Sequence, residues 1–167
     1  MRYFDDIQVG DRMVLGSHTF TADDIKAFAA RYDPQAFHMD EAAAAKSHFG
    51  ALCASGWHTV AAWMRLRVLY GQREDAERAA RGEIIAKLGP SPGFRELKWL
   101  KPVYAGDTIS YATEIKALRP ARRPDFGLVV SATTGTNQHG EIVYSALGSV
   151  FVERRNPGPA DGPARSS

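Results

Sequence analysis

Nine residues from Tyr32 to Asp40, YDPQAFHMD, carry two carboxylates, an imidazole and a proline. Asp33 and His38 are the pair of interest. A carboxylate and an imidazole held at fixed separation can share one water, each moving one proton during addition to, or elimination from, a polarised double bond. Five residues of extended chain span roughly 17 Å, so the two side chains meet only if the chain bends, and Pro34 sits where a bend would start. Gly56 follows Ser55 at the expected first turn of a long apolar segment. A backbone N–H there has no partner within its own helix. The helix dipole favours negative charge at that end, and a residue without Cβ lets a ligand approach the backbone. Together these groups offer a base, an acid, and a donor for a developing oxyanion.

The elements that must position these groups are legible in part. FDDIQVGDRMVLGSHTF gives a first strand ending near Phe20. Thr21 with Asp24 three residues on is an acidic variant of the capping box, and Ile25, Phe28 and Ala29 recur at helical spacing. That helix should stop near Arg31, because the residue before Pro34 avoids the α region. The catalytic-looking stretch is then expected as a loop. Asp40 reads as the N-cap of an alanine-rich helix closing at Gly50. From Ser55, a good N-cap, to Tyr70 runs a helix apolar on nearly all sides, expected to be buried, with Trp57, Trp63 and the later Trp99 as core. Gln72 to Gly82 is charged, helical or mobile. After Gly93 four alternating segments follow, with His139-Gly140 as a hairpin turn.

One strand, short helices, a long apolar helix and four more strands define an α+β domain in which a curved five-stranded antiparallel sheet wraps the helix. The domain is expected over residues 1–154, and 155–167, rich in Pro, Gly and Ser from Asn156 on, as a disordered tail. A free sheet edge invites pairing, so a homodimer is expected.

Composition excludes several classes. A formal net charge of +2 argues against a nucleic-acid or membrane-surface binder. Arg119, Arg122 and Arg123, and the pair Lys98 and Lys101, are local clusters that suit a solvated face, or a phosphate-bearing ligand only weakly. The single Cys53 cannot form an internal disulfide, and no base is fixed beside it to make it a nucleophile. No apolar run has the length of a membrane span and the N-terminus lacks a signal-peptide core, so a cytoplasmic location is the default.

YDPQAFHMDEAAAAKSHFGALCASGWHT resembles the hydratase signature of the MaoC-like dehydratases, the group of (R)-specific enoyl-CoA hydratases, through Asp33, His38, Asp40 and Gly56. LKWLKPVYAGDTI agrees through Pro102, Val103, Gly106 and Asp107, and the resemblance covers about residues 4–153. It implies a hot-dog fold and a hydro-lyase acting on the 2,3 double bond of an enoyl thioester. Asp33 and His38 would be the acid/base pair and the Gly56 N–H the oxyanion donor. Gln35, Phe37, Ser55 and Trp57 would line the substrate. The partner is coenzyme A or acyl carrier protein, with no cofactor beyond that carrier and no metal. The chain departs from the family in its loop: Gln35 stands where Asn is usual, Ala36 where Pro is usual, and Phe37 replaces a smaller aliphatic residue. Two alternatives remain at this point: a hot-dog thioesterase, disfavoured because Trp57 to Tyr70 holds no carboxylate, and a non-catalytic acyl-CoA-binding domain.

Overall fold

A computed structural model describes residues 1–157, so most of the expected C-terminal tail lies outside the described residues. Five strands form one antiparallel sheet: β1 (Arg12–Thr19), β2 (Gly93–Trp99), β3 (Thr108–Pro120), β4 (Phe126–Thr136) and β5 (Ile142–Glu153), in the spatial order β1-β3-β4-β5-β2. Four helices precede the last four strands: α1 (Ala22–Tyr32), α2 (Ala36–Met39), α3 (Glu41–Ala45) and α4 (Gly56–Ala80). The expected five-stranded architecture around one long helix is the one found.

Local chemistry explains most boundaries. The Thr21 hydroxyl accepts from the Asp24 N–H at the start of α1. The Asp40 carboxylate accepts from the Ala43 N–H at 2.7 Å and caps α3. A turn at Asn137–Gly140, with Gly140 at φ +79°, joins β4 to β5. Three boundaries differ from the sequence reading. The stretch after Asp33 is not a plain loop: it holds the one-turn helix α2, which carries His38. The alanine-rich helix α3 ends at Ala45 rather than at Gly50. Helix α4 continues past Tyr70 through the charged stretch to Ala80, because Gln, Arg, Glu and Ala are good helix formers and outweigh Gly71. Arg155, assigned to the tail by the sequence, is tied to the domain by its N–H to Asp5 and its guanidinium to Asp6.

The core lies between α4 and the concave face of the sheet, around Phe20, Ile25, Leu52, Trp63, Ile109, Tyr111, Val143 and Tyr144. The Tyr111 hydroxyl donates to the Thr59 carbonyl at 2.9 Å, fastening the first turns of α4 to β3. The expectation of a wholly buried helix holds for one face only. His58, Thr59, Ala62 and Trp63 are buried, whereas Trp57, Met64, Val68 and Leu69 are exposed. Trp99 is also exposed, so of the three tryptophans only Trp63 is core. A single sheet covers one side of a helix and leaves the other without a packing partner.

The segment before α4 is held like a strand. The Ala54 N–H donates to the Val103 carbonyl at 2.7 Å and the Ala105 N–H to the Leu52 carbonyl at 3.1 Å. The tight turn that makes this pairing possible uses Gly106 at φ +96° and the Asp107 carboxylate, which accepts from the Tyr104 N–H. The Pro-Val…Gly-Asp motif thus holds Cys53 and Ser55 in place under the entry to α4.

Candidate active site

Asp33 ends α1 and His38 sits two residues into α2, so the bend at Pro34 turns the extended span into a close approach. His38 Nε2 lies 3.5 Å from Asp33 Oδ2. The imidazole is 5% exposed and its Nδ1 lies 2.7 Å from the Cys53 carbonyl oxygen. A carbonyl can only accept, so Nδ1 carries the hydrogen and, in the neutral ring, Nε2 is left as a bare acceptor facing Asp33. The pinned segment 52–55 therefore selects the tautomer.

Asp33 is held from two sides. The Ser55 hydroxyl donates to Oδ2 at 2.6 Å and the Gln35 amide donates to Oδ1 at 2.8 Å. The Ser55 oxygen also accepts from the Trp57 N–H at 3.2 Å, so one hydroxyl caps α4 and orients the carboxylate. These donors decide the charge of Asp33. Its pKa is lowered, first by the Ser55 hydroxyl, then by Gln35 and His38, against the opposing effect of burial. Burial alone would have raised this pKa. Donors to the ionised form outweigh burial because the carboxylate is only partly withdrawn from water.

A pH prediction follows from that cause. Asp33 stays ionised through the neutral range, and what it contributes in that form is lost only as pH falls through its depressed folded pKa. Ser55→Ala removes the largest donor, so the acid limb of the pH–kcat/KM profile should move to higher pH. The cap lost with it should cost about 1 kcal/mol of stability. A limb that stays where the wild type has it would refute this role for Ser55.

Gly56 is the first residue of α4, and no described residue accepts its N–H. A Cβ built there would lie 2.4 to 2.7 Å from the Trp99 indole. Trp57 packs edge-on against the same indole with ring centres 5.2 Å apart and is 55% exposed. The two indoles thus crowd the backbone of Gly56, whose N–H has no acceptor among the described residues. Phe37 lies edge-on to His38 at 4.5 Å. Asp33, Gln35, His38 and Ser55 are joined by direct contacts, Gly56 adjoins them through Ser55, and Phe37 and Trp57 stand at the margin. Ser55 does more than the sequence suggested: its hydroxyl is committed to Asp33 and the helix cap. Trp99 and the Cys53 carbonyl were missed, since neither a covering indole nor a tautomer-fixing backbone oxygen has a signal in the chain. The Cys53 thiol is buried and pushed up to about 11, which agrees with an inert role.

The exclusion of a helix carboxylate needs correction. Because α4 runs on to Ala80, it carries Glu74, Asp75 and Glu77. Glu74 lies 18 residues beyond Gly56, about 27 Å along the axis, too far to act on a carbonyl held at Gly56.

His58 is part of an aromatic stack under the site, not of its chemistry. It stacks on Phe28 with ring centres 4.5 Å apart, meets Phe20 edge-on at 4.9 Å, and faces His18 at 6.0 Å. Burial, then repulsion from His18, lowers its pKa to about 4, against a small opposing effect of Asp24. The unfolded chain takes up this proton near pH 6.5 and the folded chain only near 4, so stability should fall as pH drops through that window. The contribution is on the order of 3 kcal/mol at most. His58→Phe should flatten the dependence of stability between pH 6.5 and 4 in denaturant melts. An unchanged slope would remove His58 as its source.

The family described as "MaoC like domain" matches residues 8–136. The chain belongs to the MaoC-like dehydratase family. An uncharacterized protein of Bacillus subtilis, YdeM, is 29% identical over 150 residues, covering 90% of this chain and 98% of that protein. The mesaconyl-CoA hydratase of Cereibacter sphaeroides is 38% identical over 71 residues, covering 41% of this chain and 21% of its own length. Among solved structures, a MaoC-like dehydratase from Rhodospirillum rubrum is 37% identical, with a TM-score of 0.79 over 93% of this chain and 99% of that one. The (R)-hydratase PhaJ1 of Pseudomonas aeruginosa, 19% identical with a TM-score of 0.61 over 99% of this chain and 96% of its own, shares the hot-dog fold.

Proposed function

We propose that the protein is a hydro-lyase that adds water across, or removes it from, the 2,3 double bond of an enoyl thioester. The observation that carries this is the convergence of two acceptors, Asp33 Oδ2 and His38 Nε2, at 3.5 Å, joined through Ser55 to Gly56, whose N–H has no acceptor among the described residues. Ionised Asp33 and neutral His38 can each accept one hydrogen of a single water, leaving its oxygen lone pair free to attack the β-carbon. The thioester oxygen would rest on the Gly56 N–H, where the start of α4 favours the enolate charge. As the C–O bond forms, the pair takes one proton from water and returns one to the α-carbon, ending in its starting state. Neutral His38 has no Nε2 hydrogen to give, so it serves as proton donor only after receiving one. This modifies the simplest division of labour, in which Asp33 is solely base and His38 solely donor.

Membership of a dehydratase family supports the reaction class. The carrier is proposed as coenzyme A or acyl carrier protein. The exposed apolar strip on α4, Met64, Val68 and Leu69, supports a homodimer in which a second copy covers that face. Neither cluster of positive charge argues strongly for the carrier: Lys101 pairs with Glu141 and Arg123 with Asp125. Hydration of crotonyl-CoA, followed by loss of enoyl absorbance with free thiol measured in parallel, tests the proposal. Hydration without thiol release supports it; thiol release would mark a thioesterase, and binding without either a non-catalytic domain.

A further inference from the structure

The candidate active site uses only the first turn of α4. From Trp63 onward the helix and the facing sheet enclose a separate cavity of about 450 Å³, a volume typical of small-molecule sites. None of Asp33, Gln35, His38, Ser55 and Gly56 lines it. Its walls are largely apolar, with Ile7, Trp63, Phe94, Ile115 and Val129 among them. Gly71 on α4 and Gly148 on β5 also line it, and neither puts a side chain into the space. Met64 and Val68 line it and are exposed, so they mark its open side.

Five charged side chains line this cavity, and three are neutralised within the chain. Arg2 pairs with Asp11 at 2.6 Å, Arg78 with Glu83 at 2.6 Å, and Asp75 with the Met1 amine. Arg67 and Glu74 have no ion pair among the described residues. Glu74 is seven residues beyond Arg67, about 10 Å along the helix axis, so the two do not neutralise each other. The Arg67 guanidinium reaches along α4 to Gly71, 3.4 Å from where a Cβ would stand. That direction leads away from Gly56, which is already eleven residues back. Burial pushes the Arg67 pKa down, against the opposing effect of Tyr70.

Charges withdrawn from water are ordinarily paired. An arginine left single in an apolar cavity is suited to an anion that arrives with a ligand, and its planar fork matches a carboxylate through two parallel hydrogen bonds. One guanidinium neutralises one negative charge. A phosphate monoester would bring close to two, with Glu74 lining the same space. The walls call for an apolar body and the arginine for a single carboxylate.

We propose that this cavity is a second binding site, separate from the candidate active site, for a free medium-chain fatty acid whose carboxylate pairs with Arg67. The site does not depend on the hydro-lyase reading, and its test needs no turnover. Because a second copy is proposed to cover Met64 and Val68, the measurement is made on the intact, assembled protein. Titration calorimetry would compare octanoate and decanoate with octanamide and decanamide. The wild type should bind at least one carboxylate roughly tenfold to hundredfold more tightly than its amide, the range of a hydrogen bond to a charged group. Arg67→Met should abolish the preference while keeping affinity for the amides, and Arg67→Gln, a second variant with a polar tip, should do the same. Asp33→Asn, which alters the candidate active site, should leave carboxylate binding unchanged. Equal affinities in the wild type, binding of neither set, or a preference that survives both Arg67 substitutions would overturn the assignment. Loss of carboxylate binding in Asp33→Asn would also overturn it, since the ligand would then occupy the candidate active site. Tighter binding of octyl phosphate than of octanoate would refute the choice of a carboxylate.

Discussion

Asp33→Asn should lower kcat for enoyl-thioester hydration by about 10²–10⁴. The amide keeps the shape of the side chain and can still accept at one oxygen, but it no longer carries the charge that holds a water hydrogen opposite His38. The substitution also turns a donor toward either Ser55 or Gln35, both of which donate to the native carboxylate. His38→Gln should cost a similar factor, since it removes the acceptor that the Cys53 carbonyl orients. The double variant should lose far less than the product of the two, because both groups hold the same water in one transition state. Asp40→Asn is the internal control. It caps α3 and touches neither group, so its rate should stay near wild type with only a slight loss of stability. The measurement is initial hydration rate on a panel of trans-2-enoyl-CoA esters. Near-wild-type turnover by Asp33→Asn on a substrate the native protein hydrates would rule out this pair as the active site.

Gly56→Pro should lower the rate by about 10²–10³, the usual loss for one oxyanion donor. Proline deletes the N–H and is tolerated at the first position of a helix, so the fold has a route to survive. Gly56→Ala separates the donor from the space around it. It keeps the N–H but drives a methyl group into the Trp99 indole, at 2.4 to 2.7 Å if nothing moves. Its loss should therefore be relieved in part by Trp99→Ala, whereas the loss in Gly56→Pro should not be. A folded Gly56→Pro protein with normal turnover would show that the oxyanion is stabilised elsewhere.

Much of the fold was legible because its signals are local. Alternation along β3, β4 and β5 follows from one face meeting the core and the other solvent. Thr21 and Asp40 reveal their helix starts because a capping side chain bonds an amide three residues away. Where the reading failed, a short-range rule met a long-range contact. Proline after Asp33 correctly ended α1, but the turn of helix that carries His38 depends on its side chain being tied to Cys53 across fifteen positions. The apolar pattern of α4 promised burial on every side, yet a single sheet can cover only one, and Trp57, Met64 and Val68 remain outside.

The sequence by itself determined the chemical inventory: a carboxylate, an imidazole and a glycine at a helix start, in an order that resembles a known family. Only the tertiary structure decided how they act. The separation of Asp33 and His38, the donors that keep Asp33 ionised, the tautomer of His38 and the indole over Gly56 are all set by contacts among chain segments up to 43 positions apart, as Gly56 and Trp99 are. Residue types fix which protons and charges are available. Distances between segments fix which atoms face each other and how far water is excluded, and these quantities decide whether a side chain gives a proton or takes one.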